Sequence, residues 1–284
     1  MDKITIIIWL WLTTGLAVAN EVSQTEPALP ETEAQQTIPQ ALLDQVEQGN
    51  AESAFFIGMA FVDGTMAVER DEKQALVWFQ KAAELGHVHS MYETGRLLFK
   101  NEQYGDAKKW FDQAAAAGHG DAYYRSALYY IYQINGTEFD CKKAYERMEQ
   151  AQLRSVKPAF NDHAWMLSTL PQDECRNGQL AWKIFADLQN LYGAMEPIPW
   201  AYLDTKAAVL AEIADYNEAI EIQSWIVEDF CDVEFAKDEN KFKLSVDEMT
   251  TEFSQSDDAL CYGSIQRLQA YINRKPWRET PQFN

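Results

Sequence analysis

The stretch "KQALVWFQKAAELGH" (Lys73–His87) returns 32 residues later as "GDAKKWFDQAAAAGH" (Gly105–His119). Ala, Trp-Phe, Ala-Ala and Gly-His recur at the same internal spacings. A phrase written twice at a fixed period is a sign of repeat architecture. The period extends in both directions. Gly49, Gly86, Gly118 and Ser155 are separated by 37, 32 and 37 residues. Four residues beyond these markers stand Ser53, Ser90, Ala122 and Ala159, and nine beyond stand Gly58, Gly95, Ala127 and Ala164. Eleven before the later markers stand Ala75, Ala107 and Ala144.

These spacings describe a helical hairpin. A small residue in the middle of its first helix, helix A, lets the second, helix B, approach closely. Ala75 and Ala82 keep the inner face of helix B thin, and Trp78 and Phe79 add large apolar surface beside it. The glycine takes a left-handed conformation that ends helix B. In this reading the glycine is the cause of the helix stop and the following histidine, His87 or His119, is a passenger. One hairpin cannot bury its own faces, so the copies must stack.

Residues 49–87 and 88–119 resemble Sel1-like repeats (SLR), relatives of tetratricopeptide repeats (TPR). A third copy, 120–155, has drifted, with Arg147 at the tryptophan position and Ser155 at the glycine position. "NDHAWMLSTLPQ" (Asn161–Gln172) with "NGQLAWKIFADLQNLY" (Asn177–Tyr192), and then Pro199–Asp229, resemble TPR units. "IQRLQAYINRKPWRE" (Ile265–Glu279) resembles the helix that caps such arrays. The fold class expected is all-α: an α-solenoid of stacked antiparallel hairpins with a C-terminal capping helix. Its domains run 40–157 (SLR), 158–231 (TPR-like) and 259–284 (cap and tail). Residues 232–258 form an acidic insertion with nine acidic and three basic residues, with a helical stretch expected around Val246 to Phe253.

The N-terminus reads differently. Lys3 precedes an apolar run from Ile4 to Leu16, and Ala17-Val18-Ala19 follows. This is the pattern of a signal peptide at 1–19, cleaved before Asn20. Residues 20–39 contain four Glu, three Pro and no basic residue, the composition of a disordered linker. The chain is thus expected to be exported: periplasmic if the host is a Gram-negative bacterium, secreted otherwise, with no membrane span left after cleavage. In such a compartment an even number of cysteines favours disulfides. On the repeat map Cys141 and Cys175 flank helices B of neighbouring units, while Cys231 ends the last helix B and Cys261 opens the cap. The expected pairs are Cys141–Cys175 and Cys231–Cys261.

Composition narrows the function classes. A formal net charge of -20 repels a phosphate backbone, so nucleic acid is not an expected partner. No catalytic or nucleotide-binding motif is present, and no C-x-x-C pair or other metal-ligand spacing, so neither an enzyme nor a metal or cofactor site is expected. The Sel1/TPR resemblance implies adaptor or assembly roles and a groove lined by helix A. The groove residues expected to meet a protein or peptide partner are Phe55, Met59, Tyr92, Arg96, Phe99, Tyr124, Leu128 and Ile131. The competing reading of the same stripe is packing between repeats. The alternative ligand is a cell-wall glycan stacked on the groove aromatics, and an exported hydrolase or enzyme accessory ranks below both.

Overall fold

Capping Asp and Asn side chains fix where five of the helices begin. Asn50, Asp71, Asp140, Asn177 and Asp215 each accept a backbone N–H from the first turn of the helix that follows. In the computed structural model, which describes residues 38–193, 198–233, 235, 242, 245–249 and 259–283, the helices run in order. They are α1 (Gln40–Glu47), α2 (Ala51–Asp63), α3 (Glu72–Glu84), α4 (Val88–Lys100), α5 (Tyr104–Ala116) and α6 (Gly120–Ile131). Then come α7 (Cys141–Gln152), α8 (Lys157–Thr169), α9 (Gly178–Tyr192), α10 (Trp200–Glu212), α11 (Tyr216–Cys231) and α12 (Ala259–Ile272). There are no strands among the described residues. From α2 onward each helix up to α11 packs on its sequence neighbours, giving five hairpins (α2–α3, α4–α5, α6–α7, α8–α9 and α10–α11), and α12 packs on α11. The fold is an all-α solenoid. The expected signal peptide and most of the linker lie outside the described residues.

The helix stops follow the marker positions. Gly49, Gly86 and Gly118 have φ of 86°, 93° and 95°. Around Gly118, its own N–H reaches Ala115 O (2.8 Å) and the next residue's N–H reaches Ala114 O (2.9 Å). This reciprocal pair closes the end of a helix on a left-handed residue. The drifted copy keeps the geometry without the glycine: Ser155 has φ 59°, and Val156 N–H bonds to Ala151 O (3.2 Å).

The small residues of helix A are required by close approach. A Cβ on Gly58 would lie 2.6 Å from Phe79 Cδ1, and one on Gly95 would lie 2.8 Å from Phe111 Cδ1. Phe79 and Phe111 are fully buried, while Trp78 and Trp110 are half-buried beside them. The phenylalanine of the Trp-Phe pair therefore fills the hairpin, and the tryptophan covers its side. In the third hairpin Ala127 shares a core cluster with Met148, a thinner and more adaptable partner.

Both expected disulfides form, Cys141–Cys175 with Cα atoms 5.9 Å apart and Cys231–Cys261 with 5.5 Å. Of the acidic insertion, residues 245–249 are helical, and Val246 is buried with Val227, Cys261, Ile265 and Leu268. The sequence reading is corrected at the cap. The helix expected to reach Glu279 ends at Ile272, where Arg274 takes φ 55° and Lys275 N–H bonds to Ala270 O (2.9 Å). Pro276, which cannot continue a helix, follows at once. No described helix is long and apolar enough to cross a membrane.

Candidate functional site: the helix-A face

Within each helix A, the residues two before, one after and five after the small residue share a side, because these offsets step by three and four. Five small residues, Gly58, Gly95, Ala127, Ala164 and Ala207, define the register. Two before them stand Phe56, Glu93, Arg125, Asp162 and Thr205. One after stand Met59, Arg96, Leu128, Trp165 and Ala208. Five after stand Asp63, Lys100, Tyr132, Thr169 and Glu212. This face is polar and aromatic together.

Its polar groups are wired across repeats. Tyr124 Oη donates to Asp162 Oδ2 (2.7 Å), and Asn161 donates to Asp162 Oδ1 (3.1 Å). Burial raises the Asp162 carboxyl above its ordinary value, and those two bonds oppose the shift. Burial raises the Tyr124 hydroxyl too, and that of Tyr132 to about 12. Arg96 pairs with Glu93 (2.7 Å). Arg267 of α12 reaches over to Asp204 (2.9 Å) and stands 5.8 Å from the centre of the Trp165 ring.

The expected groove residues divide. Phe55 lies against Phe79 and against His87, at ring distances of 5.8 and 4.6 Å. Tyr92 stacks on His119 at 4.5 Å, and Phe99 packs against Phe111 and Tyr129. These rings join successive repeats. Met59, Tyr124 and Leu128 are half-buried, and the Arg96 side chain is 39% exposed. Ile131 is corrected: it is completely buried in the cluster with Ala144, Met148 and Val156, so it offers no contact surface. Its position four residues beyond the small residue Ala127 puts it on the side of the helix that meets helix B. Conversely, Phe56 is 45% exposed on the helix-A face, and the sequence reading passed over it in favour of its neighbour. The register of the small residues was the signal that could have found it.

The histidines also require a correction. His87 and His119 are the N-caps of α4 and α6, not passengers of the glycine. His119 Nδ1 accepts from Ala122 N–H (3.4 Å), which leaves its proton on Nε2, 2.9 Å from His89 Nδ1. His89 then presents Nε2–H toward Glu93 Oε1 at 3.8 Å. His87 repeats the scheme, taking Ser90 N–H on Nδ1 (3.2 Å) and facing Glu52 with Nε2 (3.1 Å). Burial, and then the neighbouring His89, lower the His119 pKa. His163 is fully buried, with Gln152 Nε2 at 3.1 Å from its Nδ1 and the Tyr145 ring at 4.5 Å. Burial lowers its pKa to about 4.

The segment after α12 was not foreseen as part of this face. Arg278 pairs with Glu212 (2.8 Å) and donates to Ser168 O (3.0 Å). Glu279 N–H donates to Thr169 O (2.9 Å), and the Phe283 ring meets Phe99 and Tyr104 edge-on at 5.9 and 5.1 Å. A cleft of about 600 Å³ lies between residues 278–282 and Tyr132, Trp165 and Thr169.

The Sel1 repeat family matches residues 51–87 and 90–119. A Sel1 repeat protein from Oxalobacter formigenes is 23% identical over 42% of this chain and 92% of its own, with a TM-score of 0.38. A protective antigen with an SLR fold from uropathogenic Escherichia coli strains is 15% identical over 82% of this chain, with a TM-score of 0.51. This chain covers 56% of that antigen's length, and the likeness is one of fold. No curated protein matches the sequence significantly. Sel1 repeat proteins generally serve as protein-interaction scaffolds. With their left-handed helix stops and small residues under Phe79 and Phe111, residues 51–87 and 90–119 of this chain are Sel1 repeats, set in an all-α array of stacked hairpins.

Proposed function

We propose that this protein is a non-enzymatic scaffold of an extracytoplasmic compartment that holds a protein or peptide partner on its helix-A face. The observation that carries the reading is the first half of that face. Phe56, Met59, Arg96 and Arg125 stand there in one register, with Phe56 45% exposed and the Arg96 side chain 39% exposed. An exposed ring and guanidinium groups in one register of successive repeats have the composition of an interface anchor. It suits a partner that brings an apolar side chain next to a carboxylate. Two disulfides support export, since such bonds persist in oxidising compartments. The mature chain would begin at Asn20.

Tyr92 and Phe99 make poor probes of this reading because they join repeats. The test is Phe56→Ala with Arg125→Glu in the exported chain, with capture of partners from the extracytoplasmic fraction as the readout. Capture should fall at least tenfold while the circular dichroism spectrum is unchanged. Undiminished capture by the double variant would remove the reading.

A further inference from the structure

The second half of the helix-A face already carries a guest, and the guest is a piece of the same chain. Residues 276–283 have no helical or strand structure and run across the array in reverse order. Arg278 sits at α10 through Glu212, Glu279 at α8 through Thr169, and Phe283 at the junction of α4 and α5. Glu212, Thr169 and Tyr132 are the residues five beyond the small residue in three helices A, so the segment follows one register position along the array. Four residues of extended chain cover about 13 Å, against about 6 Å in a helix. Only the extended form lets Glu279 bond to α8 while Phe283 reaches α4.

The attachment is concentrated at the two ends, and at the first of them Trp277 also packs against the cluster of Ala207, Leu210, Ala211, Ala219 and Tyr271. At one end the Arg278 guanidinium meets the Glu212 carboxylate and the Ser168 carbonyl, both mostly shielded from water. At the other, the Phe283 ring rests on Phe99 and Tyr104 and is itself 39% exposed. Between them lies the cleft of about 600 Å³, so Thr280, Pro281 and Gln282 leave a gap above the Tyr132 and Trp165 rings. A segment integral to the core would fill that space, because protein interiors are close-packed. A carbonyl, a carboxylate and an aromatic pair can receive the same groups from another chain.

We infer that the helix-A face beneath residues 276–283 is an exchangeable peptide-binding surface, whose partner is an extended peptide carrying an arginine and, five residues on, an aromatic side chain. The chain's own segment occupies the surface until such a peptide displaces it. This deepens the scaffold reading and rests on it for the choice of face.

The test uses the full chain carrying Arg278→Glu and Phe283→Ala, and a fluorescent peptide of sequence KPWRETPQFN as probe. The peptide should bind this variant at least tenfold more tightly than it binds the unsubstituted chain, where the tethered segment competes. The same peptide with both substitutions should bind neither. Equal affinity for the two proteins, or no binding to a variant with unchanged circular dichroism, would overturn the inference. So would concentration-dependent dimers of the unsubstituted chain that the two substitutions abolish, since the surface would then take a second copy's segment. If the variant does not fold, hydrogen exchange on the unsubstituted chain decides. The Glu279 amide should exchange at least a hundredfold faster than the inner amides of α8, and exchange in step with α8 would refute the idea. Failure here, with capture still lost on substitution of Phe56 and Arg125, would leave the scaffold reading standing and remove this inference alone.

Discussion

His119 shows how much one side chain can do at a repeat boundary. It caps α6, stacks on Tyr92 and donates its Nε2–H to His89 Nδ1. Replacing it with Ala removes the acceptor for Ala122 N–H and should cost about 1 kcal/mol in denaturant unfolding, with His119→Asn retaining most of that. His163 lies deeper and has a sharper pH signature. Its folded pKa is about 4, below the ordinary 6.5, so the unfolded chain binds the proton more readily. The contribution to stability is therefore complete above pH 6.5 and is lost as pH falls through the window from 6.5 to about 4. At pH 5 the loss is about 2 kcal/mol. The difference in unfolding free energy between pH 7 and pH 5 should shrink in His163→Gln by about that amount. An unchanged difference would show that His163 is not the source.

At the scale of elements, the hairpin is a fitted pair of one small residue and one large one. Gly95→Ala drives a Cβ to 2.8 Å from Phe111 Cδ1, so the ring or the helix must move. Overpacking of this kind costs about 1–3 kcal/mol. The third hairpin suggests the remedy, since it pairs Ala127 with Met148. Phe111→Met in the Gly95→Ala background should recover part of the loss, and the double-mutant cycle should depart from additivity by about 0.5 kcal/mol or more. Strict additivity in urea unfolding would contradict the fit. The same logic explains why Ser155 can stand where the other copies have glycine. Its left-handed φ is held by the closing bonds around it, at a backbone cost of about 1–2 kcal/mol.

For the molecule as a whole, stability is distributed along the array, because each hairpin contacts mainly its neighbours. The two disulfides therefore protect different regions. Cys141–Cys175 ties α7 to the turn before α9, and Cys231–Cys261 ties α11 to α12 across the acidic insertion. The second closes a loop of 30 residues, worth about 3.5 kcal/mol in the chain-entropy limit. Cys231→Ser with Cys261→Ser should accelerate amide exchange in α12 and the end of α11 while leaving α2 to α7 unchanged. Uniform acceleration across the chain would mean that the array opens as one unit.

The repeat phrase, the helix stops at Gly86 and Gly118 and the two cysteine pairs were legible in the sequence because each is a local or periodic constraint. A left-handed turn favours glycine where it stands, and a close approach needs a small residue at a fixed offset. The helix-A face was legible only as a candidate stripe. Ile131 proved buried, and Phe56, which the sequence did not single out, proved exposed, because about 100° per residue leaves neighbouring positions of a helix ambiguous until the adjoining helix is placed. Residues 276–283 carry no period and bond to α8, α10 and α4 at separations of roughly 65 to 185 residues. Only the stacked array brings those partners into one line. The sequence by itself thus determined the repeat and its closures, and the tertiary structure decided which side chains face outward and what lies across them.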